Sequence, residues 1–514
     1  GFSQIPLNTD IVYPVANVTA LRALTGFGIG QSFQLEGHTN AGLGGGELLC
    51  TKAHGSEVDN NSLLFVVNGF VIVRVLDGGV IAPEMCGAIG DATTDDTAAF
   101  NTLNAVIAGI TDPVHVVMIQ TYLANPLSST NPIGGSYAAA FALTVSGSTV
   151  TGGGTVKIDN SVSYTAPFSA GAEHGWGIVQ INANDCTVEN IGFDGNGTGT
   201  TTGYDPAVVN IRWHHTQSFG SVGNHRKGNK VISNFGENFG GQSVSFQYQD
   251  SARILSNRFN GHQGMGVSVG VDPQVMFNVS HDCYDAPYPL NGNIVGGRIA
   301  FNYADGTNNG SGIDVVGCSG TEVCFNLIKN AQGAGIWIGY SVQQSQPSNN
   351  IHVHHNTLTT NAKFTGSPIA GEIVIGSTTN RADNATDILV EDNTFIIDGS
   401  SSSNADRCLI IEYGTNDVTF RRNRIKGVAN SNNNFAAILH DANNLRIVNN
   451  ESFLSATQKI GISSGTVNTL TVASNKGIEI DSSSTLFNNR GVLQDDGSTI
   501  FYVTKSIGTS AETV

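Results

Sequence analysis

The sequence predicts an all-β chain wound as a parallel β-helix, a solenoid of stacked short strands, and three observations predict it. From residue 186 onward one phrase recurs, in which apolar residues alternate with polar ones and close on Asn. It reads TVEN at Asn190, VISN at Asn234, ILSN at Asn257, VMFN at Asn278, IAFN at Asn302 and VCFN at Asn326. It returns as VHHN, VEDN, FRRN, IVNN and VASN at Asn356, Asn393, Asn423, Asn450 and Asn475. The shortest spacings cluster at 21–25 residues, and the excess elsewhere is rich in Ser, Thr, Gly and Asn, as in loops inserted between strands. The second observation is a strand ahead of the phrase (SVSF, VSVG, GIDV, GIWI, EIVI, LIIE, AILH), alternating with period 2 so that one face is buried. The third is composition: 13% charged residues and 63 glycines among 514 suit turns and stacked strands better than helices.

A repeat of two or three short strands stacks each turn of chain on the last at about 4.8 Å. The recurring Asn then has a structural use. Its amide can bond local backbone at a tight bend, it tolerates left-handed φ, and aligned Asn side chains can form a hydrogen-bonded ladder. These asparagines are read as scaffold, not as ligands.

Along the chain, residues 1–85 lack the phrase and read as a small β-rich head. Residues 86–142 form a capping helix and connecting segment. Thr94 starts the helix with Asp95 and Asp96 in its first turn, and Phe100, Leu103, Val106 and Ile107 make an apolar stripe. Such a helix would cover the open end of an apolar solenoid core. Residues 143–476 are the solenoid, and 477–514 a terminal cap or subunit-contact segment.

Net charge is −17, which disfavours general binding of nucleic acid or anionic membrane. The longest apolar stretch, Leu63 to Leu76, is broken by Asn68, Gly69 and Arg74 and falls short of the ~20 residues of a membrane span. No signal-peptide pattern opens the chain, which begins at Gly1 without Met, and an upstream segment is expected. The seven cysteines are scattered without a C-x-x-C pair and read as buried thiols, not as a disulfide framework or a zinc site.

The segment APEMCGAIGDATTDDTAAFNTL (82–103) resembles the motif GA-x-GD-x-x-TDDT-x-A that opens the β-helix in tailspikes and depolymerases of tailed phages, within the pectate-lyase-like superfamily. LEGHTNAGLGGGELLCTK and VTALRAL resemble the head module that accompanies it. The resemblance covers roughly 15–159 by motif and 186–476 by repeat style. It implies a right-handed, homotrimeric parallel β-helix on a phage virion, made in the host cytoplasm and attached to the tail through the upstream segment. Its partner would be a bacterial surface polysaccharide, O-antigen or capsule, bound and usually cleaved at the cell surface without a cofactor. The motif residues themselves are structural, Gly87 and Gly90 for the turn, Asp95 and Asp96 for the helix start. A phosphate-loop reading of GAIGD lacks its strand context and its Lys.

Hydrolysing a glycosidic bond needs two carboxyl groups. The strands before the Asn phrases set a register in which Asp314, Trp337, Glu372 with Val374, and Ile410 with Glu412 point outward. Asp314 and Glu372 stand two coils apart, about 10 Å along the axis, within reach of an inverting pair. Glu412 is the third catalytic candidate. Trp337 between the acids is a sugar-stacking platform, and Tyr340, Tyr413, Asp282 and Asp285 are further substrate-binding candidates. Asp282 and Asp285 belong to an inserted loop, SHDCYDAPYP (280–289). Asp250, Asp272 and Asp417 occupy one repeated turn and read as structural.

Two other patterns stay open. IRWHHTQSFGSVGNHRKGNK (211–230), with His214, His215, His225, Arg226 and Lys227, suits either a lyase site for a uronate or a polar strand with a basic loop. HVHH (352–355) lies inside an Asn phrase and, with no carboxylate or Cys read in register, is not taken as a metal site. The function expected is an endo-glycosidase that depolymerises a polysaccharide. A polysaccharide lyase and a glycan-binding fibre without activity are the rivals, and an esterase finds no G-x-S-x-G support.

Overall fold

The computed structural model describes residues 11–39, 42–125, 137–159, 174–196, 211–238, 242–359, 361, 371–377, 384–397, 407–428, 434–438, 442–455, 457–462, 469–480 and 502–504. The first ten residues of the expected head and most of 477–514 lie outside them. The chain forms two compact units, residues 1–219 with 226–243, and residues 220–225 with 244–514.

In the first unit, five strands (Val12–Val15, Ser32–Leu35, Gly46–Ala53, Phe70–Arg74 and Leu64–Val67, in that order) make a mixed sheet around Leu21, Phe33, Leu48 and Phe65. The motif at 87–97 follows. Gly87 and Gly90 have φ of 100° and 68°, as the turn reading requires. The helix itself is Thr97–Ala108, three residues later than the sequence suggested, because Asp91–Asp95 is extended. Its acids act from outside. The Asp96 carboxylate accepts from the Ile89 and Gly90 amides at 2.7 and 3.1 Å, and Asp95 accepts from the Thr97 amide at 2.9 Å. The predicted stripe is buried: Phe100 stacks on Phe141, and the Asn104 side chain accepts from the Ala142 amide at 3.0 Å. The first coils then run as parallel columns, one of them 115–117, 149–151, 187–189 and 230–232.

The second unit is the regular parallel β-helix. One column holds Tyr288–Val295, Ile313–Ser319, Ile336–Gly339, Ile373–Ile375 and Leu409–Ile411, paired in parallel. A second holds Arg298–Ala300, Glu322–Cys324, Ser348–His354, Ala385–Glu391 and Thr415–Arg421. A third holds Tyr303–Thr307, Leu327–Lys329, Thr357–Thr359 and Thr394–Ile397. The inward residues expected of the first column, Ile313, Val315, Ile336, Ile338, Ile373, Ile375, Leu409 and Ile411, are all at most 1% exposed. All seven cysteines are free and buried.

The Asn ladder is built at the bend between the second and third columns. The Asn302 amide and its Nδ2 both donate to Oδ1 of Asn326, each at 3.0 Å, and its Nδ2 also donates to the Val275 carbonyl at 2.8 Å. Asn326 repeats the pattern on Asn356, and Asn356 on Asn393. The left-handed residue is the one before each Asn: Phe277, Phe301, Phe325, His355, Asp392 and Arg422 have φ of 61°, 57°, 57°, 55°, 56° and 54°. Asn190 corrects the register by one. It takes the left-handed position itself, with φ 54°, and Ile191 stands where the ladder residue would be, its amide donating to Asn234 Oδ1 at 2.9 Å.

Replacing Asn302 or Asn326 by Ala is expected to lower stability by about 1–3 kcal/mol each, since buried donors and acceptors lose their partners. Refolding yield and denaturant unfolding would show it, and a wild-type profile would contradict the ladder's role.

Candidate functional site

Strand register places Pro289, Asp314, Trp337, Val374 and Ile410 in one outward file, each beside the next. The adjacency of Asp314 and Trp337 expected from sequence therefore holds. Asp314 is half-buried, and its Oδ1 is enclosed without a hydrogen-bond partner. Burial, and then the negative charge of Asp285, push its pKa up to about 7, against a pull downward from the Ser311 hydroxyl.

Asp285 is exposed on the turn that leads into Tyr288–Val295, one coil from Asp314. The backbone at Gly310 passes so close that a Cβ there would sit 2.4 Å from Asp285 Oδ1. Thr307 holds that segment by donating its hydroxyl to the Gly310 carbonyl at 2.5 Å. Asp282 is also exposed, with φ of 47°, but it lies at the end of the strand Val279–Cys283 and beside Gly306. The stretch 280–289 is thus mostly strand and turn, not an inserted loop. Of its two acids, the one whose charge acts on Asp314 is Asp285.

Trp337 faces outward but is half-buried. Its Nε1–H donates to the Gly376 carbonyl at 3.0 Å, and its ring packs on Ala334, Val374 and Ile410. Val374 and Ile410, although in an outward file, are 2% and 0% exposed. The platform is therefore an anchored indole at the edge of a small outer apolar cluster.

Glu372 does not sit as a solvated strand carboxylate. It is 1% exposed; Oε1 accepts from the Asn361 amide at 3.0 Å, and Oε2 from Asn361 Nδ2 at 2.6 Å. Asn361 also binds Ala331 and Ile328 backbone. Glu372 is thus a buried acceptor for Asn361, and an outward register is no guarantee of exposure. Glu412 is likewise 1% exposed, and burial pushes its pKa up to about 7. Its Cβ lies next to Gly376, the residue that accepts from Trp337. Three coils separate it from Asp314, about 14 Å, beyond the ~6.5–9.5 Å of an inverting pair unless the side chains lean together. Tyr340 and Tyr413 are half-buried, and the Tyr413 carbonyl accepts from Asn384 Nδ2 at 2.6 Å.

The turn acids are structural as read: Asp272 and Asp417 have φ of 50° and 52°, and Asp250 Oδ1 accepts from the Val271 amide at 3.1 Å. In the basic run, the side chains of His214 and His215 lie outside the described residues, and His225 pairs with Asp250 at 2.8 Å. HVHH does have a carboxylate and a Cys in register, contrary to expectation: Glu322 pairs with His352, and Cys324 with His354.

No protein-family model and no curated protein matches the sequence. Solved structures do match. The enzymatically active domain of tailspike protein 2 from bacteriophage CBA120 is similar at TM-score 0.57 and 15% identity, over 80% of this chain and 57% of that one. Full-length tailspike protein 2 of an Escherichia coli O157:H7 bacteriophage matches at TM-score 0.55 and 16% identity, over 80% and 51%. A variant tailspike of E. coli bacteriophage HK620, solved with a pentasaccharide, matches at TM-score 0.52 and 12% identity, over 81% and 82%. This chain spans about half the length of the first two. The likeness is one of fold: this chain shares the parallel β-helix with these tailspikes.

Two outcomes follow from the burial of these acids. Glu372→Gln turns an amide NH₂ toward donors, so it should cost about 1–3 kcal/mol of stability, measurable by unfolding, in place of a selective loss of activity. Asp314 binds its proton more tightly folded than unfolded, so stability should fall as pH rises from about 4 to about 7. Asp314→Asn lacks that loss, and the gap in melting temperature between variant and wild type should therefore move in the variant's favour across this window. A gap independent of pH would contradict the burial of Asp314.

Proposed function

We propose that this chain is the glycan-cleaving part of a phage tailspike, an endo-glycosidase that depolymerises a bacterial surface polysaccharide. The observation that carries the reading is the Asp314–Asp285 pair: one carboxyl held protonated near neutrality, one exposed and charged, beside the anchored indole of Trp337. The fold shared with tailspikes supports it, as does the pentasaccharide in the HK620 structure.

Glycoside cleavage divides the work between an acid and a carboxylate. Asp314 gives its proton to the leaving glycosidic oxygen, a step that requires the acid to be protonated at working pH. Asp285 remains ionised and either orients water or attacks the anomeric carbon. Their mutual repulsion keeps the two roles apart, because ionising one raises the cost of ionising the other. Trp337 offers the exposed part of its indole to a sugar, with Tyr340 and Tyr413 as further binding candidates. Glu372 serves the fold by holding Asn361, and Glu412 is a second buried carboxyl, three coils from Asp314. A lyase would need a cation against the uronate, whereas the charged neighbour that acts on Asp314 is an acid.

Candidate capsules and O-antigens, digested and analysed by size exclusion and fragment mass, test the reading. Asp314→Asn and Asp285→Asn should each slow fragment release by about 10²–10⁴ while glycan binding persists. Activity should also decline as pH rises through about 7, where Asp314 loses its proton. Trp337→Ala should weaken binding by roughly 1–3 kcal/mol. Wild-type rates in both carboxamide variants would remove this pair from the mechanism. Fragments ending in an unsaturated uronate would show a lyase instead.

A further inference from the structure

We propose that Glu322, Cys324 and His354 form a binding site for a zinc-like divalent metal ion on the outer face of the second strand column, separate from the Asp314 file. One ligand atom from each residue lies within 4.8 Å of the other two. A tetrahedral ion with bonds of ~2.0–2.3 Å needs donors roughly 3.3–3.8 Å apart, so small side-chain rotations suffice. Glu322 and Cys324 are two residues apart on one strand and share a face, and His354 is the register partner of Cys324 on the next coil. The donors therefore stand on two hydrogen-bonded strands, a rigid support for a metal site.

The donor chemistry fits. A thiolate and a carboxylate carry the two negative charges that neutralise a divalent cation, and an imidazole adds a neutral nitrogen. This mixed set suits zinc and related borderline ions better than magnesium or calcium. His354 Nε2 and Glu322 Oε1 are 2.8 Å apart, joined through a proton that the cation would replace. His354 Nδ1 faces His355 Nδ1 at 2.9 Å, so the displaced tautomer has a neighbour with which to share its proton. Arg298 lies at 2.8 Å from the other carboxylate oxygen, Oε2, and its Nη2 is 3.6 Å from Cys324 Sγ. It can keep Oε2 while the ion takes Oε1. A thiol that binds an ion gives up its proton as it does so.

The surroundings are ordered in the manner of an outer shell. The ring of His352 lies 4.2 Å from that of His354, and its Nε2 binds Glu391 Oε1 at 3.0 Å. Glu391 is fixed in turn by Arg421 and Arg422 at 2.7 and 2.6 Å. The Glu322 carboxylate, about a third exposed, is the side from which an ion enters. Three protein donors leave the fourth position to water.

The test uses the tag-free chain, stripped with chelator and titrated with Co²⁺ and then Zn²⁺. The expected result is one equivalent of Co²⁺ bound with thiolate-to-cobalt charge-transfer absorption, about one proton released per ion, and displacement by Zn²⁺. The charge-transfer band should vanish in Cys324→Ser, and affinity should fall at least about 10-fold in His354→Gln and in Glu322→Gln. Should Cys324→Ser fail to fold, the other two variants, at partly exposed positions, still decide the matter. Absence of stoichiometric binding overturns the proposal. So does binding without the charge-transfer band, or a band that survives both His354→Gln and Glu322→Gln.

Discussion

The structure of the second unit depends on the asparagine ladder. Each ladder residue presents two donors to one oxygen of the next coil and a third hydrogen bond to a carbonyl on the other side, as Asn302 does with Asn326 and Val275. A buried amide so fully paired fixes where every coil bends, because moving the bend by one residue would leave donors and acceptors unpaired in a low dielectric. The arrangement has a cost. The residue before each Asn must be left-handed, which for a side chain as large as Phe costs roughly 1–2 kcal/mol. Phe277, Phe301, Phe325 and His355 offset it by stacking at centroid spacings of 5.1, 4.9 and 5.0 Å, close to the rise of the coil itself.

Once the bend is fixed, strand register is fixed, and with it the outward files. A one-residue slip would turn every side chain over. That is why Asp314 and Trp337 are neighbours, and why Glu322 and Cys324 meet His352 and His354. The files differ only in which side chains the coils happen to carry and in what lies over them.

Fold and register were legible in the sequence because both are periodic: the phrase announces the bend, and period-2 alternation announces the face. The helix stripe Phe100, Leu103, Val106 and Ile107 was legible for the same reason. What a single strand cannot announce is cover. Alternation places Glu372 and Glu412 outward, yet both are 1% exposed, and Glu372 is bound by Asn361, a pairing that no single strand reveals. Nor does spacing in sequence show spacing across the stack. In sequence Asp285 and Asp282 stand together in one stretch, although the acid that acts on Asp314 is Asp285. Sequence alone shows no carboxylate or Cys in register with HVHH, because Glu322 and Cys324 lie 30 residues away in sequence (324 to 354) and one coil away in space. Asn190 shows a smaller failure of the same kind, since a phrase matched by letter alone can be off by one where Asn also suits the left-handed position.

The outward acids divide into two electrostatic classes on one scaffold. Glu322 lies against Arg298 and His354, Glu391 against Arg421, Arg422 and His352, and in both the net pull is below the usual carboxylate value despite partial burial. Asp314 has the opposite environment: burial and an acidic neighbour both act to raise it. The strand geometry is the same in the two cases, so the difference comes from neighbours alone. Pairing outward acids with cations costs this fold little, as the second column shows. Setting Asp314 against Asp285 destabilises the folded state at neutral pH, and stability gives no reason to keep it. A carboxyl that holds its proton near neutrality has a use in proton transfer, which is the physical ground for the proposal that centres on the Asp314 file.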